Sequence, residues 1–217
     1  MRSSIVALIL LSLTSPAVAE VYTTGSIGAS MITGLPPDGT WHQDGLPGEI
    51  NTASLAYKVG VGYQFSRWYV EANYLKMGTF NTDAVWVPDA DYDPIHHAAL
   101  TRCRDAHAVM HSTLHAGELV VGYQYPLSDL ISARIHAGVW GGKHHITARV
   151  SDDHATWGGP FNGMQLGGTA GVGLCAGPSW QVCGEVSHYH TVSETRFAVA
   201  KDVTMPTFTI KVPIGGL

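Results

Sequence analysis

LHAGELVVGYQYPLSDLISARIHAGVW, running from Leu114 to Trp140, is the stretch whose reading decides the fold. In its first half Leu119, Val121, Tyr123 and Tyr125 alternate with Glu118, Val120, Gly122 and Gln124. A period of two sends successive side chains to opposite faces, so the segment reads as a strand. Pro126 and Asp129 bracket a tight turn. Beyond it Ile131, Ala133, Ile135, Ala137 and Val139 alternate with Ser132, Arg134, His136 and Gly138. The hairpin therefore has one apolar face and one face carrying Glu118, Gln124, Arg134 and His136. A water-soluble sandwich turns its apolar face inward. A membrane barrel turns it toward lipid and encloses a polar lumen, with aromatics near the turns.

Working outward from this hairpin, the same pattern recurs. Period and breakers predict eight strands, at Val21–Thr33, Ala53–Phe65, Arg67–Phe80, Ser112–Tyr125, Leu130–Gly141, Gly163–Ala176, Ser179–His190 and Thr204–Ile214. Most exceed the usual globular strand and reach the roughly 9–11 residues that cross a bilayer at a tilt. The connections alternate. Phe65–Arg67, Pro126–Asp129 and Gly177–Pro178 are tight, whereas Gly34–Thr52, Asn81–His111, Gly142–Asn162 and Thr191–Val203 are long and polar. Short turns on one rim and long loops on the other describe an all-β, eight-stranded antiparallel up-and-down transmembrane β-barrel, short side toward the periplasm.

The start of the chain gives an address. Met1–Arg2, the apolar run Ile5–Leu13 and Pro16-Ala17-Val18-Ala19 form the pattern of a secretory signal peptide over residues 1–19, leaving 20–217 as the barrel domain. The apolar run is too short to span a bilayer, and no later run is long or apolar enough for a transmembrane helix. The formal charge is −5 with histidine neutral, and loss of Arg2 with the leader makes it −6. That balance argues against nucleic acid as a partner. Glycine is abundant at 25 residues and charge low at 13%, which suits closely spaced strands rather than a helix bundle or a disordered tail.

Parity sorts the faces. The outward set includes Leu55, Tyr57, Val59, Val61, Tyr63, Trp68, Tyr74, Val172, Leu174, Trp180, Val182, Phe208 and Ile210. Tyr63, Phe65, Trp68, Tyr123, Tyr125 and Trp180 fall beside the short turns, where an interfacial aromatic girdle belongs. The inward set carries three cations, Lys58, Arg134 and Lys211, and three carboxylates, Glu71, Glu118 and Glu185. Such a set can pair internally, as buried charges must. Its expected role is a static polar plug, since eight strands leave an interior that side chains fill; a gate of opening ion pairs is the rival reading.

KVGVGYQFSRWYVEANY, LVVGYQYPLSDLISARIHAG and TAGVGLCAGPSWQVCGEVSHY resemble the repeated hairpins of the OmpA-like and opacity-type outer membrane barrels, the small members of the porin family. The likeness spans nearly all of the chain after the leader. It implies residence in the cell outer membrane, contact with its lipid, and insertion by the barrel insertion machinery. Two features depart from that pattern. The family usually ends on an aromatic, whereas this chain ends Ile214-Gly215-Gly216-Leu217, and the last strand carries Pro206 and Pro213, each lacking a ladder donor.

Three groups of residues could carry chemistry. Cys175 and Cys183 flank the turn at Gly177–Pro178 with the same inward parity, so they either form a cross-strand disulfide in an oxidising periplasm or stay as buried thiols. Cys103, in the second long loop, is the odd cysteine. Histidine occurs twelve times, and His42, His96, His97, His107, His111, His144, His145 and His154 fall in or beside the first three long loops, near several aspartates. Imidazole and carboxylate suit a divalent zinc, copper or nickel ion. Without HExxH or CxxC spacing, solvated polar loops remain the plainer reading, and no cofactor is expected. His188 and His190 share a face ahead of Ser193 and Glu194 in SHYHTVSE, a faint echo of the barrel lipid A deacylases.

The expected function is therefore non-enzymatic: a surface-display barrel whose four extracellular loops bind host or cell-surface ligands, act as a surface antigen, or capture metal. A lipid A-modifying barrel enzyme and a secreted lipocalin-like ligand binder are the alternatives. The last requires the faces to invert, with Leu119, Val121 and Tyr123 inside.

Overall fold

The computed structural model describes residues 19–34, 49–50, 53–86, 106–151, 156–192 and 202–214. Eight long strands make up the fold: β1 Ala19–Gly34, β2 Ala53–Phe65, β3 Trp68–Trp86, β4 Ala106–Pro126, β5 Ile131–Ser151, β6 Thr156–Ala176, β7 Gln181–Thr191 and β8 Asp202–Ile214. A two-residue ribbon, Glu49–Ile50, adds to the far end of β3. Each long strand pairs antiparallel with its neighbour in sequence, and β1 pairs with β8 to close the ring. This is an eight-stranded up-and-down barrel. Closure satisfies the main chain without leaving a sheet edge, which is the condition for a sheet to sit in hydrocarbon.

The closing seam forms despite the prolines. Ile27 and Gly28 pair with Phe208 and Thr207, and the pairing resumes with Met31 opposite Thr204, so the ladder runs on either side of Pro206. Pro213 pairs with Tyr22 near the barrel's short-turn end. At the β2–β3 turn Ser66 takes the left-handed conformation, with φ 58°. Gly78, with φ 95°, sits where the β3–β4 register shifts between Lys76 and Thr79, the one-residue adjustment of a bulge.

The faces follow parity. Leu55, Val61, Leu119, Val139, Val172, Leu174, Trp180 and Phe208 all lie exposed on the outside, Phe208 at 72%. Lys58, Glu71, Glu118, Arg134, Glu185 and Lys211 are buried inside. The lipocalin-like assignment, with Leu119 and Val121 within, is thereby overturned: Leu119 is 51% and Val121 49% exposed.

Strand ends differ from the sequence expectation on one rim. β5 continues to Ser151 and β6 begins at Thr156, so most of the expected loop Gly142–Asn162 is a strand pair, with Lys143 opposite Met164 and Ser151 opposite Thr156. Likewise β3 runs on to Trp86 and β4 starts at Ala106. The extension still alternates, Ile146, Ala148 and Val150 with Thr147, Arg149 and Ser151, but the parity that is apolar lower in the strand has become polar, so a reading that required an apolar outer face stops short of it.

Candidate functional site

The lumen toward the short-turn rim is a polar network centred on Arg134, which is 1% exposed. Arg134 comes from β5, and the alternation of that strand points it inward between Ser132 and His136. Its Nη1 donates to Glu185 Oε1 on β7 at 2.9 Å and its Nη2 to Glu71 Oε1 on β3 at 2.5 Å. The guanidinium carbon stands 4.2 Å from the centroid of Tyr69, adding a cation–π contact. Tyr22 donates its hydroxyl to Glu71 at 2.8 Å, and Thr209 donates to Glu185 Oε2 at 3.0 Å. One cation thus holds two carboxylates, each tied to a further wall of the barrel.

A second group lies beside it. Lys58 Nζ is 3.7 Å from Glu118 Oε2, and Asn73 donates to the same oxygen at 3.0 Å. Lys211 finds no carboxylate among the described residues. It donates to Gln64 Oε1 and rests 3.9 Å from the centre of the Tyr22 ring. All six charges predicted to face the lumen do so, and formal charge balances among them. The pairing is uneven: Arg134 takes two partners and Lys211 an amide.

Small residues make room for the large ones. A Cβ on Gly62 would collide with the Tyr22 ring, and one on Gly122 with the Tyr69 ring. Gly62 and Gly122 are therefore the seats of the two aromatics that border Glu71 and Arg134.

Toward the other rim the interior changes character. Ala56, Leu75, Met77, Leu114, Ala116, Trp140, Tyr189, Val203 and Met205 form a buried apolar cluster, with Ile32 against it. Trp140 and Tyr189 meet edge to face at 6.3 Å. Sequence reasoning described the lumen as polar and missed this cap. The signal was available, because Leu75, Met77, Val203 and Met205 all have inward parity. At the cap's outer side a cavity of about 20 Å³ lies among Phe80, Leu114, Trp140, Val203, Ser112 and His144, room for about one water.

Cys175 and Cys183 are directly opposite on β6 and β7 and are joined in a disulfide. A carboxylate oxygen of Glu185 lies within 4.8 Å of both sulfurs, but the bond consumes the thiolates a metal would need. Cys103 lies outside the described residues.

Of the histidines proposed as metal ligands, the side chains of His111, His144 and His145 are described. His144 is buried inside the barrel, where its Nε2 meets Ser112 Oγ, while the adjacent His145 faces outward with Nδ1 2.8 Å from Asn162 Oδ1. The two lie on opposite sides of one wall and cannot ligate one ion together. These residues and the exposed His111 belong to strands, not loops, which corrects the sequence expectation. His107 is in β4, though its side chain lies outside the described set, as do His42, His96, His97 and His154. His188 and His190 both face outward and share Asp202: His190 Nδ1 is 2.7 Å and His188 Nε2 3.4 Å from Asp202 Oδ1. Ser193 and Glu194 lie outside the described residues.

No protein-family model and no curated protein matches the sequence. Several solved structures show a distant similarity. Neisserial surface protein A is 8% identical, with 90% of this chain and 99% of that chain covered and a TM-score of 0.47. OprG, an outer membrane protein of Pseudomonas aeruginosa, is 13% identical over 88% of this chain and 95% of its own, with a TM-score of 0.46. Ail, the attachment invasion locus protein of Yersinia pestis, is 13% identical over 89% and 97%, with a TM-score of 0.41. Likenesses this distant establish no function, and the barrel rests on the closed ladder of strands described above.

Proposed function

We propose that this protein is a small outer membrane barrel that works as a rigid display platform rather than as an enzyme or an open pore. The observation that carries the reading is its inverted polarity: Leu119, Val139, Val172 and Phe208 face out while Arg134, Glu71 and Glu185 are buried. Only hydrocarbon outside makes that distribution favourable, since burying charge costs more than burying leucine unless the charge is paired. The polar network and the apolar cap fill the bore in series, which supports a non-conducting lumen. Interactions then belong to the connections on the rim opposite the tight turns, including 87–105 and 193–201. The first of these carries Asp89, Asp91, Asp93, His96 and His97, suited to host or cell-surface ligands or to a divalent cation.

The test is fractionation followed by gel mobility with and without heating. A heat-dependent shift in the outer membrane fraction is the expected result. A chain that stays folded and dispersed in buffer without lipid or detergent sinks the reading. Planar-bilayer recording should show no large steady conductance.

A second reading has one observation in its favour, the His190–Asp202 contact on the outer wall. A carboxylate that orients an imidazole is half of a hydrolytic triad, and the surface it faces would be lipid. Unchanged acyl content of lipid A after expression disposes of it.

A further inference from the structure

The outer wall carries a basic row. Lys76 on β3 pairs in register with His115 on β4, and His115 pairs with Lys143 on β5, so three cationic or ionisable side chains lie side by side on adjacent strands. All three have outward parity and none is buried. Below the row, toward the short turns, the same strands present Leu119, Val121, Val139 and Ile135 to the outside. Above it they present Thr113, His111, His145 and Thr147. On β4 and β5 the row therefore marks the line at which the apolar belt ends. Tyr57 on β2 pairs with Lys76 and so extends the row, and Tyr74, one outward position below Lys76, lies 6.5 Å from Tyr57, as interfacial tyrosines do.

Among the described side chains, the outward positions of β3, β4 and β5 contain no carboxylate, and neither lysine makes an ion pair with another described residue. Lys76 and Lys143 stand two strand spacings apart, about 10 Å. That gap lets two long side chains converge on one anion above His115. The Tyr74 hydroxyl lies 2.6 Å from His115 Nδ1. With that hydroxyl donating, the ring proton belongs on Nε2, which then offers an N–H to the same anion.

We propose that Lys76, His115 and Lys143 form a docking site for the phosphate of a phosphorylated glycolipid in the outer leaflet. The acyl chains lie along the apolar belt beneath. The site rests on the outer membrane reading above, since the row meets a headgroup only if the belt lies in lipid.

The test uses the full chain folded in detergent micelles or phosphatidylcholine vesicles, with heat-dependent gel mobility as the folding control. Diphosphorylated lipid A should bind at least tenfold more tightly than lipid A of the same acylation stripped of phosphate. K76Q/K143Q should lose that preference while keeping the mobility shift, and K76R/K143R should retain it. Equal binding of the two lipids by a heat-shifting chain overturns the proposal alone, as does a K76Q/K143Q variant that binds like the parent. Competition by inorganic phosphate at concentrations equal to the lipid phosphate assigns the row to a free anion and overturns the lipid assignment. A chain with no mobility shift in any lipid overturns this proposal and the barrel reading together.

Discussion

Arg134 and Glu71, 63 residues apart in sequence and on strands separated by β4, meet inside the barrel at 2.5 Å. Because the same guanidinium reaches Glu185 at 2.9 Å, one side chain braces β3, β5 and β7 across the lumen. That bracing is independent of the hydrogen-bond ladder, which joins only neighbours.

Removing the brace leaves two buried carboxylates unpaired. Arg134→Met should destabilise the barrel by about 3–5 kcal/mol, the usual cost of breaking a buried pair from one side. Urea unfolding in vesicles measures it. Adding Glu71→Gln and Glu185→Gln should recover much of the loss, and a triple variant no better than the single one contradicts the assigned pairing.

The glycine seats make a steric prediction. Gly122→Ala places a methyl in the Tyr69 ring, and overpacking of this kind costs about 1–3 kcal/mol. Tyr69→Leu in the same chain should relieve most of it, although the second change also forfeits the contact with Arg134. Unfolding midpoints of the two variants and their combination give the coupling directly.

The exterior should grade with depth. Leu119→Arg, within the apolar belt, should cost about 2–4 kcal/mol, whereas Tyr125→Arg beside the short turn should cost about 0–1. Both parent side chains are about half exposed, so a packing account expects no difference between them. Folding titrations in bilayers separate the accounts.

The disulfide closes a short loop, with a sequence separation of 8. On the chain-entropy argument its loss through Cys175→Ser with Cys183→Ser should lower stability by about 2–3 kcal/mol. The comparison is of urea midpoints for the parent, oxidised and reduced, and for the double variant. Reduction that leaves the parent's midpoint unmoved denies the bond a role in stability.

Much of this molecule was legible beforehand, for a definite reason. Alternation in LHAGELVVGYQY fixes which side chains share a face, and the same rule placed Lys58, Glu118 and Lys211 inside and Val172 and Ile210 outside. It put Cys175 and Cys183 on one face beside a tight turn, leaving the bond itself open. It stopped short at Lys143–Thr147, where Lys143, His145 and Thr147 occupy the outward parity that is apolar lower in the strand. His144 and His145 cannot share an ion because adjacent strand residues point opposite ways.

By itself the sequence determined the strand count, the tight turns, the identity of the lumen charges and the apolar exterior, all of which follow from local period and breaking residues. Only the closed tertiary structure decided that Arg134 takes both Glu71 and Glu185, that Lys211 takes Gln64, that an apolar cap overlies the charges, and that Lys76, His115 and Lys143 fall in one row. Parity gives a side chain its face and not its height. Height is set by the stagger between strands when the barrel closes, a property of the whole ring that no single segment contains.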